Sequence, residues 1–125
     1  MKINLSDSEW KLMNHLWVRA PQTITELTAD MNGDTGWTKN TIITMLSRLE
    51  AKGAVRHEEG GRAKRYYPNI AQEDAALAET KDFLGKVYGG SLGLMMHAMV
   101  ESRSLTEEDI AELTAILEQA GGDRT

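Results

Sequence analysis

The stretch from Thr38 to Gly53 constrains this chain most. Ile42, Met45, Leu46 and Leu49 fall at i, i+3, i+4 and i+7, which is one apolar stripe along a helix. Asn40, Thr44 and Ser47 lie opposite that stripe, with Thr41 and Arg48 on one flank. Small hydroxyl and amide groups beside one guanidinium suit a surface that approaches base edges in a major groove. Two strand-forming segments follow at once, Ala54 to Glu58 and Lys64 to Tyr67, around the turn Glu59-Gly60-Gly61-Arg62. A helix with one polar face, then a basic hairpin, is the order of a winged helix-turn-helix.

The segments before this stretch complete that motif. Ser6 and Glu9 have the spacing of a capping box, which predicts a first helix from Asp7 to about Arg19. Leu12, Met13, Leu16 and Trp17 form its buried side, with Trp10 at the edge, and Pro21 prevents its continuation. Thr23 and Glu26 make a second capping box that opens a short helix to about Met31. The residues from Asn32 to Gly36 are turn material. Thr38 caps the third helix, and Gly53 ends it. Pro68-Asn69 marks the boundary of this part of the chain.

A net charge of -5 over 125 residues argues against nucleic acid until its distribution is examined. Residues 1–70 carry ten basic and eight acidic side chains, a net of +2, whereas residues 71–125 carry four and eleven, a net of -7. Between 38 and 68 there are seven basic and three acidic residues, a net of +4. Screening confines each patch to about 8–10 Å, so the local balance decides what a face attracts. The asymmetry divides the chain into a basic reader, 1–70, and an acidic remainder, 71–125.

That remainder reads as three helices. The first runs from about Gln72 to Tyr88, with Leu77, Phe83, Leu84 and Val87 on a rough stripe, and Gly89-Gly90 breaks it. Ser91 to Ser102 is a very apolar helix containing Leu92, Leu94, Met95, Met96, Met99 and Val100. Thr106 caps the last, with Asp109 three residues on, then Ile110, Leu113, Ile116 and Leu117, and Gly121-Gly122 is its expected end. The 55 residues of 71–125 bury too little surface to close a core alone. A helix that is apolar nearly all round must be covered on every side. The simplest cover is a second copy, so 71–125 is expected to be a homodimerisation element, which a reader of palindromic sites also needs.

Taken together, the landmarks resemble the penicillinase-repressor family (BlaI/MecI), with the copper-responsive CopY repressors as neighbours. They are Ser8-Glu9-Trp10, Met13-Asn14 and Trp17 in the first helix; Trp37-Thr38, Thr41-Ile42, Thr44 and Arg48-Leu49 in the third; Lys52-Gly53 and Tyr66-Tyr67; Val87-Tyr88 and Gly90; and Leu105-Thr106, Ile110 and Leu113. The resemblance implies a mainly α protein: a winged helix-turn-helix DNA-binding domain with a three-helix C-terminal dimerisation element. It further implies a homodimeric repressor of β-lactam resistance genes on an inverted repeat with TACA/TGTA-type half-sites. The third helix enters the major groove there and the wing contacts backbone. Thr41, Thr44 and Arg48 are then the base-proximal residues, with Thr38, Asn40, Ser47, Arg62 and Lys64 completing the DNA-binding set. The dimer set is Phe83, Leu84, Val87, Leu92, Met95, Met96, Met99, Val100, Ile110, Leu113 and Leu117. Two positions depart from the family: Asn40 where relatives often carry Lys, and Ile43 where they often carry a polar or basic residue.

In that family a membrane-embedded sensor protease delivers the signal by cutting the dimerisation helix, typically at an Asn-Phe bond. The matching pair here is Ala98-Met99, which is not of that type. The CopY branch binds metal through paired C-terminal cysteines, and this chain has none.

Other readings stand beside this one. The chain could be a ligand- or metal-responsive winged-helix regulator of an unrelated operon, or a winged helix that binds protein. Met95, Met96, His97 and Met99 invite a soft-metal site, but helical spacing scatters them around the axis and Met more often fills gaps in a packed core. Lys64 and Arg65 point to opposite faces of a strand, so at most one accompanies Arg62 toward DNA. Arg62, Lys64 and Arg65 are otherwise charges of the kind that protect an edge strand. No G-x-S-x-G, H-E-x-x-H or P-loop occurs, so neither an enzyme nor a cofactor is expected. The polar turn at Ser6, the absence of a long apolar run and the lack of cysteine fit a cytoplasmic protein.

Overall fold

The computed structural model describes residues 3–123, and these divide into two compact units, one up to Thr80 and one from Lys81. The first unit holds α1 (Asp7–Val18), α2 (Ile24–Met31), α3 (Lys39–Lys52), the strands β1 (Val55–Gly60) and β2 (Ala63–Pro68), and the first half of α4 (Gln72–Tyr88). The second holds the rest of α4, α5 (Leu92–Glu101) and α6 (Glu107–Asp123). The division falls inside α4, ten residues beyond the change in charge at 70/71. The small residue Ala75 in its first turns is buried with the first unit.

Local chemistry sets the helix starts. Ser6 and Glu9 satisfy each other's backbone N–H groups at 2.7 and 3.2 Å, and Thr23 and Glu26 do the same at 2.8 and 3.1 Å. Each cap removes an unsatisfied donor from the first turn. α1 stops at Val18, one residue short of expectation, because Arg19 is extended and its N–H bonds back to the His15 carbonyl. α3 ends at Gly53, whose φ of 83° lies in the left-handed region and places its N–H on the Leu49 and Glu50 carbonyls. A side chain there would meet the left-handed penalty of about 1–2 kcal/mol.

One core closes the first unit. Leu12, Met13 and Leu16 from α1, Leu27 and Met31 from α2, and Ile42, Leu46 and Leu49 from α3 are all buried, together with Ala54, Val55 and Tyr66. Met45, the fourth residue of the expected stripe, packs only at its edge, as does Trp17. The Trp17 indole N–H instead donates to the Ile70 carbonyl at 3.0 Å, which holds the end of the hairpin onto α1.

The hairpin is longer than expected. Gly60 pairs with Ala63, so only Gly61 and Arg62 remain in the loop, and Gly61 carries the positive φ of 82° that so tight a turn requires. β2 has a second neighbour on its other edge: Tyr66 and Gln22 exchange backbone hydrogen bonds at 2.9 and 3.2 Å. The buried Gln22 side chain donates to the Arg19 carbonyl and to Asp30.

In the second unit no described residue is buried. Leu92, Leu94 and Val100 of α5 and Ile110, Ile116 and Leu117 of α6 are at least half exposed. α6 opens on the expected cap, Thr106 and Asp109 exchanging bonds at 3.0 Å. Its expected end at Gly121-Gly122 is corrected: the helix continues to Asp123. Glycine costs about 1 kcal/mol against alanine in a helix, a penalty that weakens a helix without obliging it to stop.

Candidate nucleic-acid interface

The α3 surface opposite the core carries the candidate base-reading groups. Thr38 is the N-cap; its hydroxyl accepts from the Thr41 N–H at 3.3 Å and lies 3.2 Å from the Thr41 hydroxyl. Asn40, Thr44, Ser47 and Arg48 are exposed, and Thr41 is half-buried. Thr44 donates its hydroxyl proton to the Asn40 carbonyl at 3.1 Å. Its oxygen is therefore presented to solvent as an acceptor beside its methyl group. Arg48 stands on the Thr41 side of this surface, one to two turns further along the helix. Ile43, on the other flank, is 42% exposed.

The hairpin register assigns faces to the wing. Arg56 pairs with Tyr67 and Glu58 with Arg65, which puts these four on one face. His57 pairs with Tyr66 and Glu59 with Lys64 on the other. Lys64 therefore shares the face of Tyr66 and His57, and Arg65 takes the opposite one. The Lys64 face is also the one tied to α3: His57 Nδ1 contacts Glu50 Oε2, and the His57 and Tyr66 rings lie 5.7 Å apart. Burial and the nearby Glu50 carboxylate push the Tyr66 hydroxyl up. Arg62 sits at the tip between Gly61 and Ala63.

Ion pairing separates the cations into two groups. Arg56 is occupied: it pairs with Glu58 at 3.1 Å and lies 4.2 Å above the Tyr67 ring. Lys52 is committed to Glu9, and Arg19 to Asp30. Among the described residues Lys39, Arg48, Arg62 and Lys64 have no ion-pair partner. Two of the three acids in this stretch, Glu50 and Glu58, are in turn engaged by His57 and Arg56. The third, Glu59, faces Lys64 across the hairpin, and the stretch 38–68 keeps a net charge of +4. Lys39, absent from the expected DNA-binding set, belongs with this group. It lines a shallow depression with Thr25, Thr28, Ala29 and Asn32, where α2 meets the start of α3. Its only signal in the sequence is a positive charge directly after the Thr38 cap.

Comparison with known proteins converges on one group. The sequence profile described as Penicillinase repressor matches residues 5–119. The chain is 35% identical over 115 residues to the penicillinase repressor of Bacillus licheniformis, covering 92% of this chain and 90% of that one. In structure it resembles the DNA-binding domain of the repressor BlaI, with a TM-score of 0.53 and 36% identity, over 59% of this chain and 93% of that one. It also resembles monomeric B. licheniformis BlaI in complex with the blaP half-operator, with a TM-score of 0.51 and 35% identity, over 57% of this chain and 87% of that one.

Proposed function

The chain belongs to the penicillinase repressor family, and on that premise we propose that it is a DNA-binding transcriptional repressor of resistance genes, acting as a homodimer on an inverted-repeat operator. It is a regulator and not an enzyme. The observation that carries this reading is the exposed polar surface of α3 followed by a hairpin in which, among the described residues, Arg62 and Lys64 have no ion-pair partner. Arg48, Thr44, Asn40, Ser47 and Thr41 read base edges in the major groove. Thr38 and Lys64 hold phosphates beside them, and Arg62, at a tip with a glycine on one side, reaches the backbone of the adjacent groove. The half-operator complex of the BlaI relative supports DNA as the partner.

The 71–125 segment dimerises. Phe83, Val87, Leu92, Val100, Ile110 and Leu117 are exposed in one chain, and Leu84, Met95, Met96, Met99 and Leu113 are half-buried. A second copy that covers them gives the α4–α6 segment the interior it lacks alone. Two readers on one dimer then match two half-sites. Among the described residues no helix is long and apolar enough to cross a membrane. The family's cleavage position maps to the Ala98–Met99 bond in the last turn of α5; this pair is not of the Asn-Phe type, so a relative's sensor protease is expected to cut it poorly, although a cut there would divide the dimer element.

The test is selection of full-length protein on a pool of random duplexes. An enriched inverted repeat, with affinity that falls steeply with salt, is the expected result. Enrichment of no sequence, or of a single unrepeated site, overturns the reading.

A further inference from the structure

We propose that Ile43 reads a thymine methyl group in the operator and so sets this protein's preference at one base of each half-site. The inference rests on α3 lying in the major groove, and goes beyond it by assigning a base-specific role to a side chain with no polar atom.

Ile43 is 42% exposed and is not among the residues that pack against the core. The apolar stripe of α3 is complete without it, since Ile42, Leu46 and Leu49 fill the interior and Met45 borders it. At 100° per residue Ile43 lies about 40° from Ser47 and about 60° from Asn40 around the helix axis. It therefore edges the same solvent-facing surface as Ser47, Asn40 and Thr44, opposite the Thr41 and Arg48 flank. A β-branched side chain in mid-helix has lower helix propensity than Ala or the straight-chain residues, and one this exposed gains less from burial than the core residues do. Ile43 is thus an apolar group on a polar surface, unexplained by the fold.

The major groove presents one apolar feature, the C5-methyl of thymine. Apart from small C–H edges, the other groups at its floor are hydrogen-bond donors and acceptors that isoleucine cannot satisfy. Against cytosine or a purine edge Ile43 strips water from a polar atom and returns no bond, which is unfavourable. Against thymine it buries a methyl group on each side. The expected preference is that of burying one carbon, about fourfold per half-site.

The probe is the duplex that wild-type full-length protein enriches from a random pool, remade with each thymine replaced singly by deoxyuridine, which deletes the methyl group and leaves the hydrogen-bonding edge unchanged. At one symmetry-related thymine pair, replacement in both half-sites is expected to weaken wild-type binding roughly tenfold or more. Ile43→Ala, an exposed change that preserves folding as checked by thermal unfolding, is expected to bind the thymine and deoxyuridine duplexes equally. Equal wild-type affinity for all deoxyuridine duplexes overturns the inference while leaving DNA reading intact. So does a sensitivity that persists undiminished in Ile43→Ala, because another side chain then holds the methyl. Absence of any enriched site overturns the inference and the DNA reading together.

Discussion

Lys52 Nζ lies 2.5 Å from Glu9 Oε1, joining the last turn of α3 to the first turn of α1. Glu9 is 2% exposed and closes its own helix cap, so one carboxylate serves as both cap and cross-link. Lys52 also donates to the Asn4 carbonyl at 2.7 Å, which draws the approach to α1 into the same cluster. The C-terminal end of the candidate recognition helix is thereby anchored to the scaffold while its polar face stays open. Lys52→Met is expected to cost about 2 kcal/mol, because it leaves a buried carboxylate with only its cap bonds. Glu9→Leu combined with Lys52→Met should cost less than the sum of the two single changes. Denaturant unfolding of the three variants measures this, and strict additivity would show that the pair does not interact.

Acid should weaken the same cluster. Burial pushes the Glu9 carboxyl up, but hydrogen bonds from Lys52 and Ser6 and the Lys52 charge outweigh burial and hold it below its ordinary value of 4.5. Asp30 behaves alike: burial raises it, and the hydrogen bonds from Gln22 and His15 with the charges of His15 and Arg19 bring it below 3.8. A depressed carboxyl stabilises the fold above its unfolded value and loses that contribution as pH falls through the folded value. Both contributions are thus intact at neutral pH; that of Glu9 fades below about pH 4.5 and that of Asp30 below about pH 3.8. Thermal midpoints recorded from pH 7 to pH 3 should fall on the acid side. Glu9→Gln and Asp30→Asn, already weaker at pH 7, should each show a shallower fall; an unchanged slope in both would assign the acid sensitivity elsewhere.

Reading and positioning should separate in two arginines. Arg48→Ala is expected to cost roughly 1–3 kcal/mol on operator DNA and to relax specificity at one base pair. Arg62→Ala should weaken operator and random duplex alike, and lower the salt slope by about one. Titrations at several salt concentrations distinguish the two. Sequence-independent losses from both would mean that Arg48 meets phosphate and that the base-reading surface lies elsewhere on α3.

The order helix, helix, helix, hairpin was legible because its signals are local. Each cap is two residues three apart, and the stripe of Ile42, Leu46 and Leu49 spans two turns. What the sequence hid is long-range or permissive. Glu9 reads as a cap from its neighbourhood, but its burial depends on Lys52, 43 positions away. Gln22 looks like a polar linker residue until its backbone pairs with Tyr66. Gly121-Gly122 reads as a stop, yet helical φ and ψ are open to glycine at modest cost, and α6 passes through. At the candidate interface the residue types on α3 were readable from periodicity alone. The pairing of Arg56 and the freedom of Arg48, Arg62 and Lys64 needed the hairpin register and side-chain geometry.

A charge in the α5 surface should dissolve the dimer. Met96 is half-buried within one chain, beside Met95 and Met99 in a depression closed by Leu105, which precedes α6, and by Leu113 of α6. In the proposed dimer it is covered further, so Met96→Asp places an unpaired carboxylate in an apolar interface. Sedimentation at tens of micromolar should show monomer, with operator affinity falling in parallel. Dimer of unchanged strength would move the interface off this surface.

Ending the chain at Ala98 should reproduce what proteolysis would achieve. The reader's core closes within residues 12–66, so a 1–98 chain keeps its fold and an unfolding midpoint near that of the full protein's first unit. The cut removes Met99, Val100 and all of α6, and with them Ile110, Leu113 and Leu117 of the proposed dimer set. The reader then binds each half-site alone. Loss of avidity lowers apparent operator affinity by about 10²–10⁴, with no contact to DNA changed. Affinity for an isolated half-site should stay as it is in the intact protein. Measuring full and half operators against both chains decides the matter: if the 1–98 chain holds the full operator as tightly as the intact protein, α5 and α6 are not what joins the two readers, and cutting at Ala98–Met99 could not relieve repression.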